Sequence, residues 1–148
     1  MESLEHRFRL SVPSSAENLS MIRDFVARVG ERASLPQDEV AKLELAVDEA
    51  CANVIEHAYG NDRTQEIAIR AVFDEDAVTI SIVDTGRGFD PGAVPQEALG
   101  KLVAERRTGG LGMRLIRTLM DEVRYEIEPG KKNEFRMVKR LTRTTAGP

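Results

Sequence analysis

A long helical pattern between residues 36 and 58 most constrains the fold of this chain. With about 100° of rotation per residue, its apolar side chains fall on one stripe, which is formed by Val40, Leu43, Val47, Ala50 and Val54. Pro36 suits the first turn, because the amide hydrogen that proline lacks would have no helical partner there. Such a helix has to cover a hydrophobic surface, and we expect the rest of the chain to supply it.

Five short segments with alternating apolar residues predict the strands of that surface. They run through residues 8–12, 67–73, 78–82, 123–128 and 135–141. The turns at 74–76 and 129–133 are short enough to make the strands on either side of each an antiparallel hairpin. We therefore expect an α+β fold of two layers, in which three helices cover one face of a mixed, mostly antiparallel sheet.

Another helix is predicted between the first strand and residue 30. Ser14 followed by Glu17 has the pattern of a capping box at its start, and Gly30 is expected to end it. The helical spacing between these limits is carried by Leu19, Ile22, Val26 and Val29.

Size and composition fit a single cytoplasmic domain. The chain has 148 residues, with an expected core from about 6 to 141 and a polar tail at 142–148. Its formal net charge of −4 argues against direct binding to nucleic acid, and no apolar run approaches the ~20 residues of a membrane span. The start lacks the features of a secretory signal. The single cysteine, Cys51, fits a reducing compartment and a role as a small core residue.

A second face of the long helix carries polar residues that could do chemistry. Glu49, Asn53 and Glu56 lie within about 60° of each other, with His57 at the edge of that face. The amide oxygen of Asn53 is a hard neutral ligand of the kind that magnesium accepts, and Glu49 could take a proton from an attacking hydroxyl or water. Taken alone, the same residues also fit a solvated helix face, and His57 fits a capping or core histidine.

A glycine loop follows the third predicted strand. Asp84 ends an apolar run and is followed by Gly86 and Gly88. Glycine lets the backbone turn sharply and lets a flat ligand approach closely, while the Asp84 carboxylate could accept a hydrogen bond from an exocyclic amine such as that of adenine. A plain strand-ending turn is the alternative. The loop is neither a Walker loop nor a dinucleotide-binding loop.

A second glycine loop precedes the last predicted helix. Free amides at a helix start make an anion site, and nearby arginines suit phosphate geometry. A flexible hinge with a solvated basic pair is the alternative. The residues concerned are Arg106, Arg107, Thr108, Gly109, Gly110 and Gly112.

The three segments together are more specific than any one of them. Residues 49–57, 84–88 and 109–112 resemble, in order and spacing, the N-box and the two glycine boxes of the Bergerat-fold (GHKL) ATPases. Within that superfamily, the runs 43–59 and 110–123 are similar to those of the bacterial anti-sigma-factor serine/threonine kinases. The resemblance extends from about Phe8 to Leu141.

The resemblance implies a role for each matching residue. Asn53 would bind Mg²⁺, Glu49 would be the general base and Asp84 would bind the adenine amine of ATP. His57 would belong to the same nucleotide site. Gly86 and Gly88 would shape the base pocket, and Thr108, Gly109, Gly110 and Gly112 would lie against the phosphates. Residues from about 90 to 108 would form a lid, with Arg106 or Arg107 near the γ-phosphate.

The resemblance also implies partners and leaves two alternative functions open. A kinase of this family phosphorylates a small anti-anti-sigma (STAS-type) protein, holds a sigma factor and commonly forms a homodimer. A binding module that transfers nothing is one alternative, against which the presence of Glu49 argues. The ATP domain of a histidine kinase is the other. Neither His6 nor His57 lies on the separate helical hairpin that a histidine kinase uses for phosphoacceptance.

Overall fold

A computed structural model of the chain describes residues 4–86, 110–128 and 131–141. In chain order its elements are β1 (His6–Pro13), a 3₁₀ turn (Ala16–Asn18), α1 (Leu19–Arg32), α2 (Gln37–Asn53), a π-helical turn (Val54–Ala58), β2 (Glu66–Phe73), β3 (Ala77–Asp84), α3 (Gly110–Leu119), β4 (Glu122–Glu128) and β5 (Lys132–Arg140). The predicted lid at 90–108 and the tail at 142–148 lie outside the described residues.

The strands form one five-stranded sheet in the order β1-β2-β3-β5-β4. Each neighbouring pair is antiparallel, with Phe8 opposite Ala71 and Ile82 opposite Phe135 as examples of the register. The predicted two-layer α+β sandwich is confirmed, with helices on one side of the sheet. The sheet was expected to be mixed, but in the described part of the chain it is antiparallel throughout.

One hydrophobic core lies between the sheet and the helices. Strand residues alternate between this core and the open face, so that Ile67, Ile69 and Ala71 are fully buried while Arg70 is exposed. The predicted stripe of α2 faces the same core, and Leu43 and Val47 have no exposed surface. No helix among the described residues is long and apolar enough to span a bilayer.

The turn between α1 and α2 differs from the expectation that Gly30 would end the first helix. The helix continues to Arg32, and Ser34 rather than a glycine takes the left-handed conformation, with φ of 67°. Gly30 is buried inside the helix, where an added Cβ would lie 3.1 Å from Cγ2 of Val40. This glycine therefore allows α1 to approach α2 closely, and it is not a helix stop.

The expected capping box at Ser14 is also absent from the described structure. Ser15 occupies the N-cap position of the 3₁₀ turn and makes no side-chain capping bond. Ser14 is fully buried, and its hydroxyl donates to the carbonyl oxygen of Asp62 in the loop before β2. The hydroxyl thus joins the end of β1 to a loop 48 residues away in sequence, a contact that a local pattern does not encode.

The long helix changes its winding before it ends. The α-helix stops at Asn53, and the next five residues form a π-helical turn in which the amide of Tyr59 donates to the carbonyl of Val54. Gly60 and Asn61 then take left-handed conformations and reverse the chain toward β2. The sequence predicted a uniform helix to about residue 58, so the wider turn after Asn53 is a correction. Turns of this kind are frequent at functional sites.

A partly buried ion pair fixes the ends of two helices to the sheet. Lys139 of β5 is 7% exposed, and its ammonium lies 2.6 Å from Oε2 of Glu39 at the start of α2. The same ammonium donates to the carbonyl oxygen of Leu119 at the end of α3. The end of α3 therefore lies near the start of α2, and the two helices also contact each other directly.

Candidate nucleotide site

The polar face of α2 places two of the predicted site residues at one end of the helix layer. Glu49 and Asn53 are both half-buried and lie one helical turn apart. Asn53 is the last residue of the regular helix, directly before the π-helical turn. Glu56 is exposed on that turn. His57 belongs to the same turn, but its side chain lies outside the part that the structure describes.

Asp84 ends β3 as a buried carboxylate with neutral partners. It is 2% exposed, and its Oδ1 accepts a hydrogen bond from the amide of Gly86 at 2.8 Å. That bond folds the backbone back onto the carboxylate and fixes the start of the first glycine loop. Gly86 is itself buried, as a wall of the site would be, whereas Gly88 lies outside the described residues.

Asn133 is a site residue that the sequence reasoning missed. Its side-chain nitrogen donates to Oδ1 of Asp84 at 2.9 Å, and its oxygen accepts from the amide of Glu128 at 3.1 Å. Asn133 is 3% exposed and lies directly opposite Asp84 in the register of β3 and β5. The sequence assigned it to the turn between β4 and β5, where asparagine is common. Only the strand register places it beside Asp84.

Tyr59 is a second residue that lies outside the three motif segments, and with residues 60–62 it forms a segment of turn composition. It is 7% exposed. Its hydroxyl donates to the carbonyl oxygen of Glu66 at 2.5 Å and accepts from the amide of Thr85 at 3.0 Å. Burial raises the pKa of Tyr59 above its ordinary value, so the hydroxyl keeps its proton near neutral pH. The residue after the π-helical turn thus contacts the first glycine loop directly.

The structure therefore brings two of the three predicted segments together. The contact between Tyr59 and Thr85 holds the helix that carries Asn53 against the loop that follows Asp84. Of the third segment, Gly110 and Gly112 lie in the first turn of α3. Gly88, Arg106, Arg107, Thr108 and Gly109 lie outside the described residues, so their predicted placement stays a prediction.

The described residues form no metal site of their own, so a metal bound here would need further ligands from a substrate. Within residues 4–86, 110–128 and 131–141 there is no group of three or more His, Cys, Asp or Glu side chains close enough to hold a metal. Asn53 supplies a single neutral oxygen from a half-buried position. Magnesium commonly keeps several waters and takes few protein ligands when phosphate oxygens complete its shell. The donor set therefore suits a metal that arrives with a nucleotide.

Cys51 has no part in this chemistry. It is fully buried on the core side of α2, and burial raises the pKa of its thiol well above the ordinary range, with a smaller contribution from Asp48. A thiol in that state is a poor nucleophile. The expectation that Cys51 is a small core residue agrees with its position.

Comparisons with known proteins show the family of the chain. Residues 12–139 match the model of the histidine kinase-like ATPase domain family. A protein of Bacillus subtilis strain 168 named serine-protein kinase RsbW is 36% identical over 126 residues, which cover 82% of this chain and 78% of that protein. The protein of the same name from Bacillus licheniformis is 36% identical over 123 residues, covering 80% and 76%. The one from Halalkalibacterium halodurans is 33% identical over 126 residues, covering 82% and 76%.

Proposed function

Because the chain belongs to the histidine kinase-like ATPase domain family, we propose that it is an ATP- and magnesium-dependent serine/threonine kinase that acts as an anti-sigma factor. Its substrate would be a small anti-anti-sigma (STAS-type) protein, and it would bind and sequester a sigma factor. The kinase would act as a homodimer in the cytoplasm. The similarity to proteins named serine-protein kinase over about four-fifths of the chain supports the enzyme class.

One observation carries the nucleotide assignment: Asp84 is a buried carboxylate for which the described residues provide no cation. Its partners there are the amide of Asn133 and the backbone of Gly86. A buried carboxylate with only neutral partners costs free energy, which a ligand that donates a hydrogen bond to it would partly offset. With Oδ1 accepting two hydrogen bonds, Oδ2 would accept from the adenine amine, and Gly86 and Gly88 would leave room for the base.

We assign the phosphate side of the site to Asn53 at the end of α2 and to the start of α3. Asn53 would hold Mg²⁺ together with phosphate oxygens, and His57 lies one turn further along the same segment. Thr108, Gly109, Gly110 and Gly112 would present backbone amides to the phosphates at the start of α3, where a helix favours anions. Arg106 or Arg107, in a lid of residues 90–108, would lie near the γ-phosphate.

Glu49 would act on the protein substrate. The hydroxyl oxygen of the target serine or threonine forms a bond to the γ-phosphorus, and the bond from that phosphorus to the bridging oxygen of ADP breaks. The hydroxyl proton passes to the Glu49 carboxylate. Magnesium supplies charge neutralisation at the phosphates. Glu49 is half-buried, so it can keep its orientation and still be reached by a substrate side chain.

The proposal is tested by incubating the protein with γ-labelled ATP and each anti-anti-sigma protein of the same genome. We expect label on one serine or threonine of one candidate, identified by mass spectrometry, and no label when magnesium is removed by a chelator. A protein that binds a candidate tightly and labels none of them would be a binding module and would contradict the kinase assignment. Failure of the protein to bind ATP at all would contradict both the kinase assignment and the nucleotide site.

A further inference from the structure

We propose that Tyr59 is a positioning residue for nucleotide recognition: its hydroxyl sets the first glycine loop at a fixed place relative to the helix that carries Glu49 and Asn53. The inference rests on the proposed function, because it assumes that the adenine lies at Asp84 and the phosphates lie at Asn53. Tyr59 lies outside the three motif segments 49–57, 84–88 and 109–112, although it is the last residue of the run 43–59 that resembles the family.

The hydroxyl of Tyr59 makes two hydrogen bonds, one as a donor and one as an acceptor, to two different parts of the fold. It donates to the carbonyl of Glu66, the first residue of β2, at 2.5 Å, and it accepts from the amide of Thr85 at 3.0 Å. The bond to Glu66 fixes the direction of the hydroxyl proton, so a lone pair is left facing Thr85. Because burial raises the pKa of Tyr59, this arrangement stays the same across the neutral pH range.

Thr85 is the residue through which the contact reaches the base site. It lies between Asp84, whose carboxylate is buried, and Gly86, whose amide donates to that carboxylate. A shift of the Thr85 amide would move both neighbours, since they share its two peptide planes. The position of the Asp84 carboxylate is therefore fixed from two directions, by Asn133 across the sheet and by Tyr59 through the backbone.

The other end of the contact lies on the phosphate side. Tyr59 follows the π-helical turn that begins directly after Asn53, and its own amide closes that turn by donating to Val54. A ligand that spans Asp84 and Asn53 has to match the distance between the first glycine loop and the end of α2. Tyr59 is hydrogen-bonded to the loop, and the π-helical turn connects it to the end of α2. The Tyr59 hydroxyl thus lowers the free-energy cost of ordering the site when a nucleotide binds.

Ser14 provides a matched control for a purely structural role of the Tyr59 hydroxyl. Its hydroxyl is also buried, and it also donates to a backbone carbonyl of the segment between the π-helical turn and β2, that of Asp62. Ser14 contacts no residue of the first glycine loop in the described structure. Removing either hydroxyl should lower stability, but only the removal at Tyr59 should act on the nucleotide.

The experiment compares Tyr59→Phe and Ser14→Ala with the parent protein by calorimetric titration with ATP and magnesium, well below every melting temperature. We expect the Kd for ATP to rise roughly tenfold in Tyr59→Phe, since an amide at the site loses its partner, and to change less than twofold in Ser14→Ala. In the phosphotransfer assay KM for ATP should rise by a similar factor in Tyr59→Phe while kcat stays near the parent value, because Glu49 is unaltered.

Equal Kd values in Tyr59→Phe and the parent would overturn the inference and leave the proposed function standing. Absence of ATP binding in the parent would contradict both the inference and the proposed function.

A second measurement tests the role of Tyr59 if the Tyr59→Phe variant does not fold. The chain has two tyrosines and no tryptophan, so Tyr125→Phe leaves Tyr59 as the sole reporter of ultraviolet emission. Saturating ADP, corrected for adenine absorption, should change that emission. Unchanged emission would show that Tyr59 does not sense the base and would contradict the proposal.

Discussion

The side-chain amide of Asn133 donates to the carboxylate of Asp84 at 2.9 Å, across the pair of positions where β3 and β5 meet at the edge of the candidate site. The oxygen of the same amide accepts from the backbone of Glu128. Asn133 therefore has a fixed orientation, with its side-chain nitrogen directed at Asp84. The carboxylate is oriented by the closing hairpin of the sheet.

Substitution of this pair should weaken nucleotide binding in a graded way. In Asp84→Asn the acceptor for the adenine amine is lost, and the Kd for ATP should rise roughly tenfold to a hundredfold, as expected for one hydrogen bond to a charged group. In Asn133→Ala the carboxylate remains but is less well held, so we expect a smaller rise, about threefold to tenfold. Calorimetric titration measures both, with circular dichroism as the check on the fold.

Asn18→Ala is the control for the loss of an asparagine amide. Asn18 donates to the carbonyl of Pro13 at 2.9 Å, and among the described residues it makes no hydrogen bond to Asp84. Its substitution should leave the Kd for ATP unchanged. If Asn133→Ala behaves like Asn18→Ala, Asn133 does not orient Asp84 for the nucleotide.

Asn53→Ala should remove the dependence of nucleotide binding on magnesium. In the parent protein we expect ATP to bind more tightly with Mg²⁺ than with a chelator, because Asn53 contributes a metal ligand. In Asn53→Ala the two affinities should be nearly equal. Asn53 is half-buried and lies off the apolar stripe of α2, so thermal unfolding should change little. Equal affinities with and without magnesium in the parent would rule out the metal assignment.

The ion pair between Glu39 and Lys139 should make stability depend on pH. Contact with the Lys139 ammonium holds the pKa of Glu39 below its ordinary value of 4.5. The stabilisation is therefore present above about pH 4.5 and is lost as the pH falls through the lower pKa of the folded state. Glu39→Gln should cost roughly 2–3 kcal/mol at pH 7, below the full value of a completely buried pair, because the Glu39 side chain is 22% exposed.

Urea unfolding at pH 7 and pH 3.5 measures this effect. The difference in unfolding free energy between the parent and Glu39→Gln should shrink at the lower pH. Glu31→Gln, at an exposed position near the end of α1, should differ little from the parent at either pH. A constant difference between the parent and Glu39→Gln at both values would mean that the charge of Glu39 is not what stabilises the helix ends.

The sequence predicted those features that depend on local periodicity. Alternation in 67–73 and 78–82 gave a hairpin that the structure has as β2 and β3, and the stripe from Val40 to Val54 faces the core as expected. These predictions succeed because burial of one face imposes a period of two on strands and 3.6 on helices. The resemblance to the family then predicts Asp84, Asn53 and Glu49 as site residues.

The features that were missed depend on contacts between distant parts of the chain. Asn133 meets Asp84 across 49 positions and Tyr59 meets Thr85 across 26. Both lie in segments whose composition suits an ordinary turn, so no local signal separates the site residue from the turn residue. Gly30 was misread for a similar reason, because its small size serves the close approach of Val40 from the next helix.

The most direct test of the account is phosphotransfer by Glu49→Gln. A positioned base contributes ~10²–10⁴-fold to rate, and ATP binding needs no proton acceptor, so this variant should bind ATP and its sigma factor like the parent but transfer phosphate at least a hundredfold more slowly. Glu44→Gln is the matched control: Glu44 is half-buried on the same helix, about 140° around it from Glu49, and its substitution should leave the rate unchanged. Single-turnover transfer from labelled ATP to the anti-anti-sigma protein gives the rates. Transfer by Glu49→Gln at the parent rate would contradict the assignment of Glu49 as the base of this kinase.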